Sequence, residues 1–368
     1  MSGWTRSIGS VLLALSAAVL CAQNAREREQ QLLGAAAREP KSVRAAGALG
    51  EFYFHEQRWQ ASARWLQKAY TLSGGDEALG CDLVQALLNA DLLKQAKAQI
   101  ETMEARKDSA QLHSLMAQVN DRSGSYQEAA QEYHRAAEME PTEEHIFDLA
   151  TYLVQHKKYV GALEDAIKFY RYGAQQFPAS ARMRVGLGVA LYAASEYDEA
   201  VRTLCAAVDL DPKDTRPLEF LGRASKVSPE LAQAVDARLM EFAERYPENA
   251  AANYFYALAL WERRGGEQGN GVGAIEQLLE KAESLAPKWY EPHYQLGVVY
   301  ESEGRYTDAL REMQRAVAID PEFFPAHYRL ATLYRRAGSR AKAEAEATLV
   351  QHLKAKDEGD VSRHDVTE

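Results

Sequence analysis

The sequence predicts an all-α protein, a solenoid of about nine stacked helix-turn-helix units. Three observations predict it. "YDEAVRTLCAAVDLDP" (197–212) and "YTDALREMQRAVAIDP" (306–321) are two writings of one plan. Extended backwards, they pair Leu187, Gly188, Leu191, Tyr197, Ala200, Leu204, Ala207 and Pro212 with Leu296, Gly297, Tyr300, Tyr306, Ala309, Met313, Ala316 and Pro321, always 109 positions apart. Self-similarity at a fixed period is the mark of a repeat architecture. Finally, alanine is abundant and Gly and Pro fall at punctuating positions, which favours helix over strand.

The spacing sets out each element of a unit in turn. Leu296, Gly297 and Tyr300 share one face of a first helix, and Ala309, Met313 and Ala316 share one face of a second. Gly297, without a side chain, admits a neighbouring helix at close range. Gly304 marks the turn, and Tyr306 is placed to cover the hairpin. Pro321 cannot continue a helix and biases Asp320 away from helical geometry, so it closes the unit. This signature resembles the tetratricopeptide repeat, a roughly 34-residue helix-turn-helix unit. The resemblance implies a right-handed superhelical solenoid, with units near 43–76, 77–109, 110–142, 143–180, 181–214, 215–249, 250–289, 290–323 and 324–357.

The units from Ala181 and Tyr290 match at every signature position, and the one from Ala110 nearly so. Three are irregular. "YVGALEDAIKFYRYGAQQFP" sets Ala162 too far ahead of Pro178, which predicts a second helix about a turn longer than usual. The unit from Thr215 has "SKVSPEL" in place of the usual turn. The unit from Ala250 carries "GGEQGNGVG" (265–273), read as a mobile hairpin tip. One hairpin cannot bury its own apolar face, so the array is stable only as a stack with polar ends. Residues 23–42 supply a partial capping helix, and 358–368, polar and without aromatics, are expected to be disordered.

The first 22 residues follow the three-part layout of a secretory signal peptide: Arg6, an apolar run from Val11 to Leu20, then small residues with cleavage after Ala22. The expected location is therefore the periplasm or surface of a bacterium. "AVLC" also offers Cys21 for lipidation, and a membrane is a partner only in that case. Cys81 and Cys205 fall in separate repeats and read as small buried apolar residues. A formal net charge of −10 gives no global electrostatic case for nucleic acid.

Catalytic and cofactor motifs do not assemble. "HEQRW" puts Trp59 where a zinc helix needs its second His, and "GLGVAL" from Gly186 sits inside a repeat helix without a preceding strand. His293 and His327 take equivalent places in successive units, about 10 Å apart, too far to share one metal ion. No cofactor and no metal is expected. The resemblance implies a concave groove lined by first helices that holds a protein or peptide. On that reading the candidate contacts are Tyr254, Trp261, Tyr294, Tyr328 and Arg335, with Arg216, Arg223 and Lys226 as a second, basic patch. The Lys and Asn positions of the carboxylate-gripping co-chaperones of that family are occupied here by other residues, so that clamp is missing. The sequence reading is a non-enzymatic exported scaffold. Its alternative is a lipid-anchored assembly factor of the outer membrane or a pilus.

Overall fold

The computed structural model describes residues 24–156, 161–263 and 271–365. The expected signal segment and most of the glycine-rich insertion, 264–270, lie outside them. The described residues form nineteen helices and no strand. None of these helices is long and apolar enough to cross a membrane. The chain divides into two compact units, Met1–Tyr159 and Val160–Glu368.

In the first unit α1 (24–38) leads into three helix pairs: α2 (Val43–His55) with α3 (Trp59–Leu72), α4 (Glu77–Asn89) with α5 (Leu93–Glu104), and α6 (Ala110–Arg122) with α7 (Tyr126–Met139). α8 (Glu143–Gln155) packs on α7. α1 caps the stack: Ala36 is buried against Leu49 and Tyr53, and Glu29 accepts hydrogen bonds from the Tyr53 hydroxyl and Arg58, both at 2.8 Å.

In the second unit α9 (Ala162–Gln176) packs on α10 (Ala181–Ala193), which pairs with α11 (Tyr197–Leu210). Then come α12 (Arg216–Ala224) and α13 (Pro229–Arg245), α14 (Ala250–Arg263) and α15 (Val272–Leu285), α16 (Tyr290–Ser302) and α17 (Tyr306–Ile319), and α18 (Phe324–Arg336) and α19 (Arg340–Asp365). α9 has 15 residues against 14 in α11, one residue more where about a turn more was expected. α19 continues through residue 358, where the sequence suggested a tail, as far as Asp365.

Repeated chemistry explains why the pairs form. Six pairs share a three-residue connection whose middle residue is left-handed: Gln57, Asp91, Gly124, Ser195, Gly304 and Gly338, with φ between 56° and 78°. The next residue's N–H then reaches five residues back, as Arg58 to Tyr53 and Arg305 to Tyr300, both at 2.8 Å. This reversal satisfies carbonyls that the helix end leaves without partners. Between paired helices, Gly50, Gly188 and Gly297 lie where a Cβ would come within 2.6 Å of Leu66, Leu204 and Met313. Missing side chains therefore set the close approach of first and second helices. Ala69, Ala136, Ala207 and Ala316 are buried on the second helices and keep those faces shallow.

Polar fastenings recur too. His113, His293 and His327, on the first helices, contact Glu132, Glu312 and Glu346 nineteen residues later at 2.6, 3.0 and 2.6 Å. His293 and His327 thus each belong to their own hairpin.

Candidate functional site

A large recess of the second unit lies where the repeat is irregular. α12 stops after nine residues, against thirteen in α10 and α16. Its start is fixed by Arg216, whose guanidinium grips Asp214 with contacts of 2.9, 3.1 and 2.6 Å. That pairing holds the Asp214 carboxyl below the usual range. Its end is a tightening turn, Lys226 N–H to Arg223 and Val227 N–H to Ala224, before Ser228 caps α13 by accepting from the Leu231 N–H at 3.2 Å.

Over this shortened helix opens a groove of about 720 Å³. One wall is α12 and the turn after it, with Glu219, Gly222, Arg223, Ser225 and Lys226; the other is Trp289 and Glu291 at the entry to α16. Its floor is α14, with Ala251, Tyr254, Phe255 and Leu258. Asn249 sets the α14 entry. Its Oδ1 accepts from the Ala252 N–H at 2.9 Å, and its amide donates to the Pro212 carbonyl at 2.5 Å. One turn on, buried Asn253 donates to the carbonyls of Pro247 and Asn249. The floor is therefore pinned by hydrogen bonds at its entry and by the core beneath it.

The floor is aromatic. The Tyr254 ring lies 5.1 Å from Phe255 and 4.6 Å from Trp289. Burial pushes the Tyr254 hydroxyl well above its usual pKa, so it stays neutral and presents a hydrogen-bonding group in an apolar setting.

The charges of the lining divide into paired and unpaired. Lys226 binds Glu262 at 2.7 Å, and Arg223 stacks over Phe220 at 5.2 Å. Glu291 is different. Its Oε2 is buried and no donor of the described residues reaches it, although Tyr290 and Glu291's own N–H hydrogen-bond to the carboxyl. Burial holds that carboxyl above the usual carboxylate range, and Glu219 and Asp320 push the same way. A buried polar atom without a partner is rare in a folded protein and costs about 1–3 kcal/mol.

The five contact candidates do not converge on one surface. Tyr254 is in the groove but only 9% exposed. Trp261 is half-buried against the core. Tyr294 and Tyr328 line a second hollow of about 410 Å³ with Phe324 and Arg329. There Tyr294 stacks edge-on to Phe323 at 5.0 Å and accepts from Arg329, whereas Tyr328 is 60% exposed. Arg335 borders a separate hollow beside Gly338 and Arg340. Of the basic patch, Arg216 is committed to Asp214, and Arg223 and Lys226 line the main groove. Sequence reasoning missed Trp289, Phe255 and Glu291. "KWYEP" (288–292), two aromatics and an acid at a helix entry, was the legible trace of Trp289 and Glu291.

Two groups bring His and carboxylates within 4.8 Å of one another: Glu104, Asp108 and His113, and Glu283, His293 and Glu312. In the second, Arg315 already contacts both glutamates, at 3.0 and 3.3 Å, and fills the role of the cation. In the first, both His113 nitrogens are engaged by carboxylates, Asp108 at 3.1 Å and Glu132 at 2.6 Å. Neither fits a metal centre. Cys81 and Cys205 are free, and burial pushes both thiols up to about 11, so neither is a reactive thiolate. The glycines of "GLGVAL" serve packing: a Cβ on Gly186 would strike Tyr170, and one on Gly188 would strike Leu204.

Two family profiles, both described as tetratricopeptide repeat, match the sequence, one over 159–224 and 300–362 and the other over 22–77. No curated protein matches with significance. Among solved structures, a thermophilic TPR protein of Thermus thermophilus is 22% identical, over 51% of this chain and 98% of that one, with a TM-score of 0.39. MamA 41-end from Desulfovibrio magneticus RS-1 is 18% identical, over 57% and 96%, with a TM-score of 0.33. The human IFIT1 dimer with m7Gppp-AAAA is 17% identical, over 74% and 67%, with a TM-score of 0.40.

Proposed function

This chain carries tetratricopeptide repeats, and from that premise we propose that it is a non-enzymatic scaffold holding a peptide segment of a partner protein. The segment lies in the groove over α12, α14 and α16. The observation that carries this reading is the groove itself: about 720 Å³, floored by the Tyr254–Trp289 pair and walled by charges of both signs. Concave, mostly apolar recesses with a few placed polar groups are where ligands settle. A floor already fixed by Asn249 and Asn253 lowers the ordering cost of binding on the protein's side.

The apolar run before Ala22 supports export of the scaffold to a bacterial periplasm or cell surface. Cys21 within "AVLC" supports a second reading, a lipid-anchored assembly factor.

Photocrosslinking tests the binding surface. A crosslinking residue at Arg223, on the groove rim, is expected to capture a discrete partner in the producing organism; one at Arg202, exposed on α11, is not. The Gly222→Leu variant, which fills the groove, is expected to abolish capture. Capture that is equal at both positions, or indifferent to filling, sinks the groove as the binding surface.

A further inference from the structure

Glu291 carries an inference about what the groove selects, and it rests on the reading of the groove as a peptide site. Its carboxyl lines the groove beside the aromatic floor; Tyr290 and its own N–H hydrogen-bond to it, but no cation of the described residues pairs with it. Glu219, across the groove on α12, adds a second negative charge that acts on it. The groove's own cations do not answer these carboxylates. Lys226 is held by Glu262, Arg223 lies over Phe220, and Lys213 forms no ion pair among the described residues. What the site lacks is a cationic donor, and what it offers beside the carboxylate is the half-buried Trp289, backed by the largely covered Tyr254. An indole face attracts ammonium and guanidinium groups and covers their aliphatic stems.

We propose that the groove selects a peptide segment that delivers a lysine or arginine side chain to the Glu291 carboxyl, with Glu219 as the second carboxylate and the stem laid over Trp289. Arg223 and Lys213, at the α12 side, set the opposite requirement and favour an acidic residue elsewhere in the same segment. The selected ligand is thus amphoteric, with one basic anchor.

A random peptide library displayed on phage, panned on the full chain, tests this. Selected peptides are then synthesised and titrated by fluorescence anisotropy. Three proteins are compared: the wild type, Glu291→Gln and Gly222→Leu. Glu291→Gln keeps size and removes charge. Gly222→Leu adds bulk beside Phe255, where a Cβ at 3.6 Å meets only ordinary contact, and replaces glycine by a better helix former; a circular-dichroism melt matching the wild type checks that it is folded. The expected result is a consensus containing Lys or Arg, affinity lowered at least about tenfold by Glu291→Gln, and binding lost in Gly222→Leu. Peptides lost in Gly222→Leu but without a basic consensus, or bound equally by Glu291→Gln, overturn the basic anchor and leave the groove standing. Peptides indifferent to both variants, or no selected peptides, overturn both.

Discussion

Ser195 and Gly304 occupy the same place in two repeats 109 residues apart, and both are left-handed, with φ of 64° and 74°. Only glycine enters that region without a steric penalty, which for other residues is about 1 kcal/mol or more. Ser195→Gly should therefore raise the urea midpoint, and Gly304→Ala should lower it. Equal midpoints for both variants and the wild type would show that neither turn limits stability. Sequence alone exposes the reversal where Gly124, Gly304 and Gly338 stand, but hides it at Gln57, Asp91 and Ser195, where the turn overrides residue preference. Glu291 makes a prediction of its own. Burial leads its upward shift, its own N–H and Tyr290 oppose it, and Glu219 and Asp320 reinforce it. A carboxyl raised in the folded chain favours that free chain increasingly as pH falls, yet a bound cation needs the carboxylate. Affinity for a basic peptide should be full near neutrality and decline as pH falls, beginning above the ordinary glutamate range of about 4.3. Glu291→Gln should bind weakly with a flat profile. A wild-type affinity that rises on acidification would refute the assignment.

At the scale of the helix pair, two matched glycines separate packing from propensity. A Cβ on Gly188 would sit 2.6 Å from the Leu204 branch point and 3.5 Å from its backbone nitrogen; on Gly297 the nearest atom, at 2.6 Å, is the terminal methyl of Met313. A thioether end can move aside, and a branched carbon next to the main chain cannot. Overpacking costs about 1–3 kcal/mol, and Gly→Ala in a helix returns about 1. Gly188→Ala is expected to destabilise, while Gly297→Ala is neutral or mildly stabilising, as read by denaturant midpoints. The glycine pattern made this contact visible in the sequence. The His–Glu fastenings were not visible, because a separation of nineteen residues becomes a contact only once the hairpin has closed. Glu312 is 3% exposed and meets His293, Arg311 and Arg315. Burial pushes its carboxyl up, but the hydrogen bonds from His293 and Arg311 and the Arg315 charge outweigh that, and its pKa falls below the usual range. Removing one partner of such a buried group, as in Glu312→Ala, should cost about 3 kcal/mol in urea denaturation. Because the folded-state pKa is depressed, this contribution is present above the ordinary glutamate range and is lost as pH falls through the depressed value. Glu312→Gln should lack that part of the acid sensitivity.

For the whole chain, periodicity made the helical-repeat fold legible from a few small residues, since each stacked unit needs the same close contacts. The groove was not legible in that way. Tyr254 was found through its repeat position, but Trp289 and Glu291 come from a connection and a helix entry, where the repeat places few constraints. The same holds at residues 1–22, whose reading depends on composition. Intact-mass analysis of protein from a bacterial host tests that reading: export with cleavage after Ala22 leaves Gln23 first, while an anchored form begins at a diacylated Cys21. A chain that retains Met1 and Trp4 in the mature protein would contradict both.

The short α12 has a further consequence for engineering. Restoring four residues to it would bring the unit into line with its neighbours, α10 and α16, which run to thirteen. A designer averaging repeats toward their consensus would make that change first, and it would bury more surface. The product would be a more durable unit with its recess filled in, because the groove exists only where α12 stops short of its neighbours.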